Sequence, residues 1–467
     1  MQLTAPFFLF IFFPLSLPLV LLLPKGTRRL TLSLLSILWY VLANIRNPGG
    51  IAYVSLIVFL SVMLVYLPLP RSIGGAKLRT VLGIALPLLA FITARICSEY
   101  FPDRYTYPTG LLFVTLSVIS YFLDFAKGDV IPPANPLELI GYFLFFPTLS
   151  FGPVLRSKRY FDLTEELSFS AERFTKGIRY YMLGYIKRLA IAAVLMRAME
   201  DMLAYAQLAL APLSYCLLLL LALLCFYFYV TGCADTARGL CAMYGMDLPA
   251  DRGRVPFAAA PHLVFSGTFL SLYNYLQDYI YLPLRRRFGG TVFPFFGRFL
   301  LLALMVLCFR SRPEMLLLAS PVLLCVLLAQ IPAVKQKWQI RSRLLRLPLS
   351  LLSGAVCSFF ALGMVLTEPW DVLRLAQYAF TNVGADPAHY IFGMVRDARY
   401  LYGLCTVLVL LLPYLYLRDI LCKKSGGRLQ KVLQITETVL IFAAFIATLV
   451  FIMPQFPQLA GQGIFYM

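Results

Sequence analysis

Charge is scarce in this sequence. Asp, Glu, Lys and Arg make up 13% of its 467 residues, about half of what a soluble chain carries. No hydrophilic stretch is long enough for a soluble domain; the longest polar-leaning segments are 154–177, 245–256 and 367–400. Histidine is rarer still, with only His262 and His389. The ten cysteines lack the CxxC spacing of a metal site. Most of them, Cys97, Cys216, Cys225, Cys308, Cys325, Cys357 and Cys405, sit inside apolar runs as small apolar side chains. There is no Ser-His-Asp order, nucleophile elbow, Gly-rich phosphate loop or metal-ligand set. Period-two alternation is missing, which argues against a barrel. No repeat of hydropathy is visible, which counts against the common secondary-transporter folds.

Apolar residues make up 60% of the chain. They gather into runs of about 16–22, the length a helix needs to cross about 30 Å of hydrocarbon. Backbone groups in lipid must be satisfied within the segment, so helices are expected. The runs fall at 6–23, 30–45, 50–69, 79–97, 109–126, 137–153, 178–198, 207–232, 293–309, 314–332, 347–366, 401–417 and 434–454. The first lacks a basic leader and a small-residue cleavage site, and reads as a retained span. The expectation is an all-α, polytopic integral membrane protein with about 11–13 transmembrane helices. It is read as one membrane-embedded domain over 1–467, with N-terminal helices over 1–105, a core over 106–330 and C-terminal helices over 331–467.

The net charge of +19 follows membrane topology. Basic clusters stand at Lys25, Arg28 and Arg29; at Arg71, Lys77 and Arg79; and at Arg285, Arg286 and Arg287. Two more stand at 335–346 and 418–431. An even number of spans separates most successive clusters. All five then lie on one side, with both termini outside the plasma membrane. The 127–180 region breaks this zigzag and predicts a re-entrant segment. Nucleic-acid binding is disfavoured, because no soluble domain presents the basic stretches.

Polar side chains at membrane depth line a cavity or pair within the bundle. Asp124, Asp235 and Arg238 are such residues, and the three-residue spacing of the last two allows a pair on one helical face. The 256–290 region adds Ser266, Thr268, Ser271, Asn274, Gln277 and Asp278 among Tyr273, Tyr275, Tyr279 and Tyr281. It reads either as a buried structural knot or as the wall of a site. The basic and aromatic 154–188 segment reads either as an interfacial helix on anionic headgroups or as a rim around a phosphate-bearing donor.

These segments carry a resemblance. Tyr121-Phe122-Leu123-Asp124, Phe145-Phe146-Pro147 and Phe151-Gly152-Pro153-Val154-Leu155-Arg156 resemble, in order, motifs of the membrane-bound O-acyltransferases. The branch is that of alginate O-acetyltransferase and the D-alanyl transfer protein of teichoic acids. Gly184-Tyr185-Ile186-Lys187-Arg188, Thr231-Gly232-Cys233-Ala234-Asp235 through Gly239, and Asp278-Tyr279-Ile280-Tyr281-Leu282-Pro283 continue the series. Gly463-Ile464-Phe465-Tyr466 resembles the family's closing motif.

The resemblance implies tilted helices around a central funnel, with re-entrant or interfacial helices. In it an acyl thioester from the cytoplasmic side meets an acceptor hydroxyl from outside, beside a histidine. It implies no bound cofactor; acyl-CoA or an acyl carrier protein would serve as donor substrate. Partners would be membrane lipids, the donor carrier, and an envelope polymer or a partner acyltransferase. The family's histidine positions fall here on Phe269 and near Phe309. The candidate bases are therefore Asp278, Asp235 and His262, with His389 in an external loop. Ser271, Asn274, Tyr279, Tyr281 and Arg310 are expected in the funnel, and Gly152, Pro153, Arg156, Gly232 and Gly239 in motif positions. Three functions remain open: acyl transfer to an envelope polysaccharide or lipid, a catalytically silent binding or scaffold protein, and a transporter of lipid-linked substrate.

Overall fold

A computed structural model describes residues 3–68, 73–101, 105–149, 152–165, 167–204, 210–248, 270–288, 293–309, 315–316, 318–320, 323–324, 343–366, 368, 370–382 and 427–453. Among these residues the regular structure is helical throughout. The protein is an all-α membrane protein. Four of the described helices are long and apolar enough to cross a bilayer: Pro48–Tyr66, Gly75–Tyr100, Pro212–Met243 and Ile435–Ile452. They fall on the runs read at 50–69, 79–97, 207–232 and 434–454. The run at 401–417 and most of 314–332 lie outside the described residues.

Helix ends follow local chemistry. Asn47 caps Pro48–Tyr66 by accepting the Gly50 N–H, and Pro48 takes the first helical position. Leu111–Lys127 starts after Gly110 and stops at Gly128, whose φ values of 83° and 78° suit glycine. The Gly128 N–H returns to the Phe125 carbonyl and that of Asp129 to Asp124, closing the last turn.

The run at 137–153 is not one span. It breaks into Pro136–Phe143 and Phe146–Leu149. An eight-residue helix rises only about 12 Å, too little to cross. Pro136, Pro147 and Pro153 punctuate the segment, as the re-entrant reading of 127–180 anticipated. The following Ser157–Glu165 helix buries Tyr160, Phe161 and Thr164 and exposes Lys158, Arg159 and Asp162.

The chain forms two compact units. The first comprises Met1–Ile178, Thr236–Ala250 and Asn274–Pro283. Its core is aromatic: Phe8 lies 4.7 Å from Trp39, and Tyr142 lies 4.9 Å from Tyr160. Gly152 permits close packing there. A Cβ on it would stand 2.6 Å from the Thr148 Cα and 3.1 Å from the Pro147 carbonyl oxygen. These are backbone atoms and cannot swing away. Gly152→Ala is therefore expected to cost about 1–3 kcal/mol, read as a lower melting temperature in detergent. Gly128→Ala meets no atom within 4 Å and bears only the left-handed strain of about 1–2 kcal/mol.

The second unit comprises Arg179–Asp235, Asp251–Tyr273 and Leu284–Met467. Within it, Arg179 forms an ion pair with Glu437, which is 2% exposed. The Tyr185 ring packs 5.1 Å from Phe445, and its hydroxyl reaches the Met453 sulfur at 3.3 Å. Elsewhere in this unit the Cys225 thiol donates to the Ala192 carbonyl, and the Tyr215 hydroxyl to that of Val372.

Candidate functional site

In the first unit a tyrosine ladder climbs one helix face. Leu116, Ser120 and Asp124 recur every four residues on Leu111–Lys127 and share that face. Tyr275 and Tyr279, also four apart, run beside them with rings 4.8 Å from centroid to centroid. The Tyr275 hydroxyl donates to the Leu116 carbonyl at 2.9 Å, and that of Tyr279 to Asp124 Oδ1 at 2.7 Å. Ser120 Oγ lies 3.0 Å from the same Tyr279 hydroxyl and accepts the Ser157 N–H. Ser157 Oγ donates to Asp124 Oδ2 at 2.6 Å. Asp124 is 5% exposed, so both carboxylate oxygens are engaged in a dry place.

Burial, followed by the bond to Asp124, pushes the Tyr279 phenol above its ordinary range, so it stays protonated and donates. The Gln277–Tyr281 stretch that presents Tyr279 is a π-helical turn within a continuous Leu270–Phe288 helical run. Such a wide turn changes which side chains share a face.

Asp278 points elsewhere. Its Oδ2 binds Arg156 Nη1 at 2.6 Å, with the two side chains 38% and 34% exposed. Arg156 Nη2 also donates to the Asn274 carbonyl at 3.1 Å. Its guanidinium stands 5.6 Å and the Lys127 ammonium 4.8 Å from the Tyr279 ring centre. Three motif segments thus meet: Asp124 from the first, Gly152-Pro153 through Arg156 from the second, and Asp278-Tyr279 from the third. Gly239 belongs to the same unit, and its carbonyl oxygen lies 2.8 Å from where a Gly177 Cβ would stand.

The second unit joins two more motifs. Lys187 and Arg188 lie in the π-helical Ile186–Ala192, where every residue is buried. Lys187 Nζ binds Asp235 Oδ2 at 2.7 Å; the residues are 7% and 2% exposed. Arg188 stands 5.5 Å over the Tyr229 ring. Gly232 makes room for both. A Cβ on it would lie 2.7 Å from Arg188 Cγ and 3.0 Å from Lys187 Cβ and the Gly184 carbonyl. Asp235 thus takes its ion-pair partner from another helix, while Arg238 directs Nε to the Leu248 carbonyl at 3.1 Å.

Tyr281 is buried and Ser271 partly so, whereas Asn274 is exposed and engages through its backbone. His262, His389, Phe269, Arg310 and the Phe309 side chain lie outside the described residues. Ser120 and Ser157 were missed at the sequence level. Their signals were available: one stands four residues before Asp124, the other directly after Arg156. Glu437 was missed too, although it is an acid within an apolar run.

Comparison with known proteins agrees with the motif series. The chain is 26% identical over 312 residues to the probable alginate O-acetylase of Azotobacter vinelandii, covering 61% of this chain and 60% of the relative. The chain is a relative of the alginate O-acetylases. The Pseudomonas aeruginosa protein of that description matches at 25% over 312 residues, 61% of this chain and 57% of the relative. The teichoic acid D-alanyltransferase of Lacticaseibacillus rhamnosus matches at 28% over 88 residues, 18% of this chain and 22% of the relative. The matches span about three fifths of the length of the alginate O-acetylases. No family model matches the chain. These relatives belong to the branch of membrane-bound O-acyltransferases that the motifs resemble.

Proposed function

We propose that this chain transfers an acetyl-type acyl group from a thioester donor, such as acyl-CoA or an acyl carrier protein, to a hydroxyl of an exported polysaccharide or envelope lipid. One observation carries the reading. The motif residues bind one another, Asp124 with Tyr279, Arg156 with Asp278 and Lys187 with Asp235. The parts that resemble the acyltransferases fit together as working units. In the reaction the acceptor oxygen attacks the thioester carbonyl, the C–O bond forms, the C–S bond breaks, and the hydroxyl proton passes to a base. Asp278 is the better base of the two described carboxylates. Its side chain is 38% exposed against 3% for Asp235, so an acceptor can reach it. Membrane lipids surround the chain, which lies in the plasma membrane with both termini outside. An envelope polymer, or a partner acyltransferase that receives the acyl group, completes the pathway.

The test uses the full chain in nanodiscs with radiolabelled acetyl-CoA and a uronate oligosaccharide. Asp278→Asn is expected to slow acetylation about 10²–10⁴-fold. Unchanged transfer in Asp278→Asn would sink Asp278 as the base. No transfer by the wild type with any thioester donor would sink the activity.

A second reading has its own support: both described carboxylates are held in ion pairs. A catalytically silent relative would keep the fold as a binding or scaffold module. Such a chain would sustain acylation in cells after Asp278, Asp235, His262 and His389 are all replaced, and would co-purify with an active transferase.

A further inference from the structure

Lys25, Arg28 and Arg29 open the Lys25–Ala43 helix, and Lys77 and Arg79 lie near the start of Ile73–Tyr100. Basic ends stay cytoplasmic, which turns the far ends, with Tyr40 and Arg95, outward. Tyr40 is 1% exposed, and its hydroxyl is enclosed without a hydrogen-bond partner. The Tyr105 hydroxyl is likewise enclosed and unpartnered. Tyr105 and Tyr107 lie near enough to act electrostatically on Tyr40. The Arg95 guanidinium stacks 4.2 Å from the Tyr107 ring centre. The frame around them is fixed: Asn47 Nδ2 donates to the Thr106 carbonyl at 3.1 Å, and the Tyr53 hydroxyl to that of Ala90 at 2.8 Å.

Interfacial tyrosines keep their hydroxyls in headgroup water. That of Tyr40 is buried, and a buried unmade hydrogen bond is costly. We propose that Tyr40, Arg95, Tyr105 and Tyr107 form an outward-facing subsite for a saccharide ring. Aromatic faces take the C–H face of a pyranose. Phenol and guanidinium edges supply the few placed polar contacts that fix its hydroxyls or its carboxylate. The subsite stands apart from the motif cluster, and binding there needs no acyl donor.

The test titrates the full chain in nanodiscs, without any thioester, with a uronate hexasaccharide and with a neutral glucose hexasaccharide. Binding is read by calorimetry and saturation-transfer NMR. At least one sugar is expected to bind. Tyr40→Phe should weaken it about five- to tenfold, the share of one neutral hydrogen bond, and Tyr107→Ala should abolish it. Uronate binding alone would assign Arg95 to the carboxylate; equal binding of both would assign the subsite to the ring. Tyr40→Phe should melt no lower than wild type, since its hydroxyl holds nothing in place. Failure of both sugars to bind, wild-type affinity in Tyr40→Phe, or a lowered melting temperature in that variant would each overturn the proposal. Because no acyl transfer is measured, the result is separable from the fate of the proposed activity.

Discussion

Replacing Asp124 by alanine is expected to lower the unfolding free energy by about 3–5 kcal/mol. The carboxylate accepts hydroxyl protons from Ser157 and Tyr279 at 2.6 and 2.7 Å, and is almost entirely buried. Hydrogen bonds to a charged group contribute about 1.5–3 kcal/mol each, and alanine removes both. It also leaves two hydroxyls searching for acceptors where water is scarce. Asp124→Asn keeps one acceptor oxygen and should lose about half as much. Ser157→Ala removes one donor and should lose about 1 kcal/mol. Thermal unfolding in detergent, followed by circular dichroism, ranks the three. If Asp124→Ala melted with the wild type, the ladder would not hold the first unit together.

The second large effect is at Lys187. Lys187→Met is expected to cost about 3–5 kcal/mol, because Asp235 would remain as a buried charge without its partner. The converse change, Asp235→Leu, strands the ammonium with a similar cost. Replacing both at once removes the charges together and should return stability to within about 1–2 kcal/mol of wild type. That cycle also separates structure from chemistry. A double variant that melts normally and acetylates normally would show that the pair only holds helices. A double variant that melts normally but has lost transfer would place the pair in the reaction. Equal damage in single and double variants would contradict the ion-pair account.

The long apolar runs were legible because lipid imposes one rule on every residue of a span. Pro48–Tyr66 and Pro212–Met243 lie on the runs read for them. The segment at 137–153 was misread as a span because hydropathy weighs side chains and not breaks. Its prolines decide the outcome, dividing it into two short helices. Motif residues were legible one by one, but their pairings were not. The three-residue spacing of Asp235 and Arg238 is visible along a single helix, whereas the Lys187 that binds Asp235 arrives from another. The π-helical turns at Ile186–Ala192 and Gln277–Tyr281 add to the difficulty. They shift the facing by part of a turn, so counting by 3.6 from a neighbouring motif gives the wrong side.

The Arg179–Glu437 pair has a consequence for biogenesis. Arg179 leaves the ribosome long before Glu437 does, and so do the Tyr185 ring and the partners it awaits at Phe445 and Met453. Until the later helix is inserted, the guanidinium has no carboxylate to meet and must keep to the wet edge of the bilayer. The second unit therefore closes only after translation has run through its distal helix, and a ribosome stalled before Glu437 holds that half open.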